Sequence, residues 1–262
     1  MLLASTNDLP YYPRKIISLV PSQTELLHFF GLEKEVIGIT KFCIHPHEWF
    51  KNKARIGGTK AVNINMVQKL RPDLIIANKE ENVKEQVEIL AKEFAVWVTD
   101  VNNLDDAFIM INDIGELTDK KKEAEKLIEN VKNEFLNLPH VPMPVRSCYI
   151  IWRNPYMTIG GDTFINDMMK HCGLHNIFSD ELRYPEISLE EIKNRNCQLI
   201  LLSSEPYPFK ENNIKEMQES FPGTKIILAD GEMFSWYGSR LLLVPDYFRK
   251  LYKVVLKSVS GF

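Results

Sequence analysis

The 262-residue chain has no surplus of positive charge: 32 Lys and Arg stand against 35 Asp and Glu, for a formal net charge of −3. A field able to hold nucleic acid or an anionic membrane is therefore missing, and no nucleic-acid partner is expected. Missing too is any run of about 18 consecutive apolar residues, the length needed to span a bilayer as a helix. The four cysteines, Cys43, Cys148, Cys172 and Cys197, lie far apart and form no CxxC pair, which excludes the usual signatures of structural zinc and of a disulfide framework. Reduced, mostly buried thiols are expected instead. Neither a G-x-S-x-G elbow, nor a P-loop, nor H-E-x-x-H, nor a dinucleotide-binding G-x-G-x-x-G occurs, so no enzyme template applies. The first eight residues carry no basic segment, and their apolar stretch is short. A chain so written is expected in the cytoplasm, although an exported protein read in its mature form would look the same.

What is present is an ordinary globular composition, 45% hydrophobic and 26% charged, on a chain long enough for two lobes. Apolar periodicity and cap signals predict strands at 15–20, 36–40, 73–77 and 96–99, with helices over 63–70 and 83–94. Ser22 and Glu25 have the spacing of a capping box for a helix that Gly31 ends. Residues 104–138 read as helical with a break at Thr118 and Asp119, and 119–137 suits one long amphipathic helix. Pro139, Pro142 and Pro144 close it. A second series follows, with strands at 148–152, 199–203 and 225–229 and a final helix from about Arg240. The fold class is α/β: an N-terminal lobe over 1–117, a linking helix over 118–140 and a C-terminal lobe over 141–262, each lobe with a mainly parallel sheet.

The lobes also resemble each other. Residues 63–80 can be laid without gaps on 188–205, since 188 − 63 and 205 − 80 both equal 125. Each segment reads as an N-cap residue, a short helix, a turn, an apolar strand and a glutamate. A repeat of one supersecondary unit is the economical reading.

Ligands of open parallel sheets bind beyond the carboxyl ends of the strands. The loops expected there are rich in aromatic and long polar side chains. Trp152, Tyr156, Tyr207, Phe209, Trp236 and Tyr237 fall at or just past predicted strand ends, where flat rings can hold a large ligand. Cys43, His45 and His47 alternate and would share one face of an extended segment, a set able to bind a transition metal, or simply a polar loop. The glycine pairs at 57–58 and 160–161 fit either a phosphate cradle or a tight turn.

Residues 15–27, Lys-Ile-Ile-Ser-Leu-Val-Pro-Ser-Gln-Thr-Glu-Leu-Leu, then 70–77, Leu-Arg-Pro-Asp-Leu-Ile-Ile-Ala, and 160–168 with Cys172, Gly173 and 176–178, resemble the cobalamin and ferric-siderophore substrate-binding proteins of ABC importers. The resemblance covers about 14–250 and implies a class III periplasmic-binding-protein-like, chelatase-like fold: two lobes joined by one backbone helix, with a metal chelate held between them. It implies aromatic ligand contacts from Phe42, Trp152, Tyr156, Trp236 and Tyr237. Polar contacts would come from Ser22, Gln23, Lys41, Asn78, Arg153 and Arg240. It further implies a monomer without an intrinsic cofactor, and an acidic residue on each lobe, Glu80 (beside Glu81) and Glu205, that docks on a transporter permease. A periplasmic location is the alternative that the resemblance offers. The loops at 41–49 and 232–237 resemble those of the helical-backbone metal receptors. No tyrosine follows Arg55-Ile-Gly57, where heme-binding relatives tend to carry the iron ligand, which argues against heme. Direct metal-ion binding through Cys43, His45 and His47 stands as a second reading, and a cytoplasmic cofactor-handling or chelatase-like enzyme as a third.

Overall fold

The computed structural model describes residues 1–141 and 143–259, the last four of these by backbone alone. Pro142, part of the expected linker, lies outside the described residues. The chain divides into two compact units.

The first unit comprises Met1–Val101, Asp105–Val131 and Tyr237–Arg240. It contains β1 (Ile16–Ser18), α1 (Pro21–Phe29), β2 (Val36–Ile39), α2 (His47–Asn52), β3 (Ala54–Arg55), α3 (Ile64–Leu70), β4 (Leu74–Asn78), α4 (Lys84–Ala91), β5 (Val96–Thr99) and α5 (Leu104–Leu117), which begins one residue ahead of its stretch. The strands pair in the order β3-β2-β1-β4-β5, all parallel. β4 reads Leu-Ile-Ile-Ala-Asn and is buried at every position, as expected where helices cover both faces of a parallel sheet. Ile17, Leu19, Val67, Ile75, Ala77 and Leu90 pack into its core.

α6 (Lys121–Leu136) follows. Its separation from α5 falls where the sequence predicts it: Asp119 is left-handed at φ 59°, a conformation that stops a helix and that Asp tolerates. The boundary between the units lies inside α6, after Val131.

The second unit comprises Asn102–Leu104, Lys132–Trp236 and the chain from Leu241 onward. Its elements are β6 (Val145–Ile150), β7 (Tyr156–Met157), α7 (Phe164–His171), β8 (Leu174–Asn176), β9 (Glu186–Ile187), α8 (Leu189–Asn194), β10 (Leu199–Ser203), α9 (Glu211–Ser220), β11 (Lys225–Ala229), α10 (Glu232–Ser235) and α11 (Val244–Val259). A parallel sheet runs β11-β10-β6-β8, and β7 pairs with β9 antiparallel. Cys148, Ile150, Ile192, Ile200, Leu202 and Met217 lie in the core. Among the described residues no helix is long and apolar enough to cross a membrane.

The repeat read from the sequence extends to individual hydrogen bonds. The side chain of Asn63 accepts from the Met66 N–H to cap α3, and Ser188 accepts from the Glu191 N–H to cap α8. Arg71 and Asn196 end the two helices in the left-handed region, at φ 48° and 52°. Beyond the strands, Asn78 Oδ1 accepts from the Glu80 N–H at 2.9 Å, and Ser203 Oγ accepts from the Glu205 N–H at 3.4 Å. The Lys79 N–H donates to Thr99 O and the Ser204 N–H to Ala229 O.

One local expectation is corrected. α1 begins at Pro21, with Val20 as an N-cap that makes no side-chain bond. Proline at the first helical position supplies the fixed φ and lacks only an N–H the helix would have left unpaired. Ser22 and Glu25 are therefore one and four residues inside the helix and form no capping box.

Candidate functional site

At the carboxyl ends of β1, β4 and β5 lies a buried polar network. Gln23 Nε2 donates to Thr99 Oγ1 at 2.5 Å, and Asn78 Nδ2 donates to the same oxygen at 3.1 Å. Thr99 Oγ1 in turn donates a hydrogen bond to Ala77 O. Asn82 Nδ2 donates to Thr59 O, and its Oδ1 accepts from the Asn78 N–H at 2.9 Å. Buried polar groups satisfied in this way fix the loops they join. Gln23 is 0% exposed and Asn78 2%, so their expected role as ligand contacts is corrected: both side chains face inward and brace the strand ends. Ser22 is buried as well. One atom of the network, Gln23 Oε1, is buried without a partner.

After β2 the chain turns through Lys41, Phe42 and Cys43. Cys43 is fully buried, accepts from Thr24 Oγ1 at 3.1 Å and lies 3.2 Å from Thr40 Oγ1. Burial pushes its thiol pKa up, against the opposing hydrogen bonds of the two threonines. His47 is exposed and opens α2, while His45 precedes Pro46 on the loop. The structure therefore does not bring Cys43, His45 and His47 to one face, because the segment turns instead of extending. Among the described residues no group of three His, Cys, Asp or Glu could hold a metal ion. The buried thiol anchors the loop, and Phe42 stays 50% exposed with the Lys41 ammonium 5.1 Å from its ring centre. Ile44, which composition alone did not single out, is exposed beside it.

In the second unit the loop after β6 presents Trp152, 40% exposed, in an edge-to-face contact with half-buried Tyr207 at 5.7 Å. Tyr207 in turn packs on buried Phe209. Arg153 Nη1 pairs with Glu216 Oε2 at 2.7 Å, and Arg153 Nε is buried without a partner. Tyr156 is half-buried in β7. Trp236 and Tyr237, expected as aromatic walls, are both buried. Trp236 Nε1 donates to Glu205 Oε1 at 2.9 Å, and Ser235 Oγ donates to the same oxygen at 2.6 Å. Burial pushes the Glu205 carboxyl pKa up, and nearby Glu232 adds to it, against the bonds from Ser235 and Trp236. Glu205, partly exposed, thus joins the β10 and β11 loops through these two bonds. Arg240, which with Tyr237 belongs to the first unit, is also buried and meets Glu25 of α1 instead of reaching outward.

Gly57, Gly160 and Gly161 are explained by close backbone approach. A Cβ on Gly161 would lie 2.1 Å from Ser179 O, and one on Gly160 2.5 Å from Glu181 O. Their N–H groups already donate to Glu181 O and Arg183 O, and the Gly58 N–H donates to Ala61 O. These amides are engaged within the turns, which corrects the phosphate alternative. The turn at 160–163 borders a polar groove of about 520 Å³ lined by Asp162, Asp167, Lys170 and Arg183.

Comparison with known proteins follows this geometry. The chain is 25% identical over 241 residues to the vitamin B12-binding protein of Pectobacterium carotovorum subsp. carotovorum (strain PC1), covering 89% of this chain and 86% of that one. It is 27% identical over 201 residues to an uncharacterized ABC transporter substrate-binding lipoprotein, YvrC, of Bacillus subtilis (strain 168), covering 72% and 63%. Among solved structures, the periplasmic heme-binding protein RhuT from Roseiflexus sp. RS-1 in apo form superposes with a TM-score of 0.79 at 17% identity, over 92% of this chain and 99% of that one. The family model for periplasmic binding proteins, a family of binding proteins and not of enzymes, matches residues 16–226. That match overturns the expected cytoplasmic location and points to the periplasm or to a lipoprotein. An export leader is removed from the mature chain, so the lack of one at a sequence's start carries no address. With most of its length covered by the match, the chain belongs to the periplasmic binding protein family.

Proposed function

We propose that this protein is the substrate-binding component of an ABC importer and that it captures a metal chelate, a cobalamin-like corrinoid or a ferric siderophore. The observation that carries this reading is the pair of aromatic side chains, Phe42 and Trp152, held half-exposed on loops at the carboxyl ends of their sheets. A large ring kept in contact with water by an anchored loop is poised to gain apolar contact when a ligand covers it. The similarity to a vitamin B12-binding protein supports the ligand class. Lys41 adds a cationic donor beside the Phe42 ring. The partner is a transporter permease, with Glu80 and its neighbour Glu81, on the loop after β4, as its contact on the first unit.

The test is a thermal-shift and absorbance titration with cyanocobalamin, a ferric hydroxamate and a ferric catecholate. A ligand at 100 times its dissociation constant adds about 2.7 kcal/mol to stability. At least one chelate is expected to raise the melting temperature saturably; no shift with any of them sinks the reading.

A further inference from the structure

The loop after β2 carries a more specific message about ligand chemistry. Lys41 and Phe42 are both exposed, yet the backbone that bears them is fastened on every side. The Lys41 N–H donates to Gly57 O at 2.8 Å, the Phe42 N–H to Thr40 Oγ1 at 3.3 Å, and the Ile44 N–H to Phe42 O at 2.9 Å. Cys43, between them and the interior, is sealed by Thr24 and Thr40. Gly58 supplies the floor: a Cβ there would come within 3.2 Å of Phe42 Cε2 and 3.3 Å of Lys41 Cε. The bare backbone thus lets the ring edge and the lysine stem rest on one turn, side by side.

The Lys41 ammonium has no carboxylate partner among the described residues; its one charge-related contact is the Phe42 ring. Other cations on strand-end loops are spent, Lys79 on Asp100 and Arg153 on Glu216. A solvated cation over a ring contributes only about 0.5–1 kcal/mol, too little to explain why an apolar ring is kept in water beside it.

We propose that Lys41 and Phe42 form one composite contact for a chelate that carries an anionic oxygen next to an apolar or aromatic face: the ring takes the face and the ammonium takes the oxygen. This rests on the chelate-binding reading above and narrows it to anionic ligands. Two sources carry that chemistry, the phenolate oxygens of a ferric catecholate and the phosphodiester arm of a corrinoid.

Each source has a counterpart without the anion. Affinities of wild type, Lys41→Gln and Phe42→Leu are measured by fluorescence titration for a ferric tris-catecholate against ferrioxamine B, a cationic hydroxamate, and for cyanocobalamin against dicyanocobinamide, which lacks the phosphodiester. Loss of a charge-assisted bond predicts that Lys41→Gln weakens the anionic member of one pair by about tenfold or more, with little change for its counterpart. The pair that responds identifies the source. Lys41→Arg restores most of the loss, and added salt weakens wild type more than Lys41→Gln. Equal affinities in wild type and Lys41→Gln, or equal losses for both members of each pair, overturn the composite contact while leaving chelate binding intact. No binding of any of the four by wild type overturns the chelate reading and this inference together.

Discussion

Arg240 grips Glu25 through two parallel bonds, Nε to Oε2 at 3.0 Å and Nη2 to Oε1 at 2.7 Å, across 215 residues of sequence. The pair is largely buried, with side-chain exposures of 9% and 21%. It holds the short 237–240 segment, where Gly238 lies against Leu26 and Ser22 O, onto α1 of the first unit. Removing one partner of such a pair strands the other charge. Arg240→Ala is expected to cost about 3 kcal/mol, and Arg240→Lys less, because it keeps the charge but loses the fork. Urea denaturation of both variants and of Glu25→Gln/Arg240→Met, in which neither charge remains, checks this. The double variant is expected to recover much of the loss.

Glu205 gives a pH signature. Its carboxyl is pushed above its ordinary value of 4.5, chiefly by burial. A pKa raised in the folded state means that its contribution to stability is complete below the unfolded value and is lost as pH rises through the folded one. Glu205→Gln keeps an acceptor oxygen for Ser235 and Trp236 without the charge. The melting temperature of Glu205→Gln is therefore expected to gain on wild type as pH rises from about 4 to about 8, by a few degrees for each kcal/mol or so. A difference independent of pH would contradict the assignment.

Gly161 tests the backbone contact that replaced the phosphate alternative. With a Cβ 2.1 Å from Ser179 O, Gly161→Ala forces two backbones apart and is expected to destabilise by about 1–3 kcal/mol. Gly223→Ala, where nothing lies within 4 Å of the added atom, serves as its control and is expected to be neutral or slightly stabilising. Thermal denaturation of both reads the contrast.

Docking on a permease is expected to depend on Glu80. Glu80→Arg, assayed by chelate-stimulated ATP hydrolysis of the reconstituted importer, is expected to lose most of the stimulation while chelate affinity is unchanged. Glu205→Gln, altering a carboxylate already engaged by Ser235 and Trp236, is expected to preserve it.

The parts of the molecule written in local pattern were legible in the sequence. The 63–80 and 188–205 repeat survives down to its N-caps and its left-handed Arg71 and Asn196, because caps, apolar strands and helix stops act over a few residues. Side-chain direction was not legible. Gln23, Asn78, Trp236 and Arg240 stand in the loops and helix starts where ligand contacts are expected, but each turns inward to a partner set by tertiary packing: Thr99, Glu205 or Glu25. The alternation of Cys43, His45 and His47 misled for a related reason. Period-two reasoning holds only on extended chain, and Thr24, from α1, draws Cys43 into the core.

Capture of a chelate at the exposed rings is tested most directly by equilibrium dialysis of wild type and Trp152→Ala against cyanocobalamin and ferric siderophores. Wild type is predicted to retain one chelate per chain, and Trp152→Ala to bind it about tenfold more weakly, the loss expected for about 1.4 kcal/mol of ring contact. Wild type that retains none of these chelates, or Trp152→Ala that binds as tightly as wild type, would contradict it.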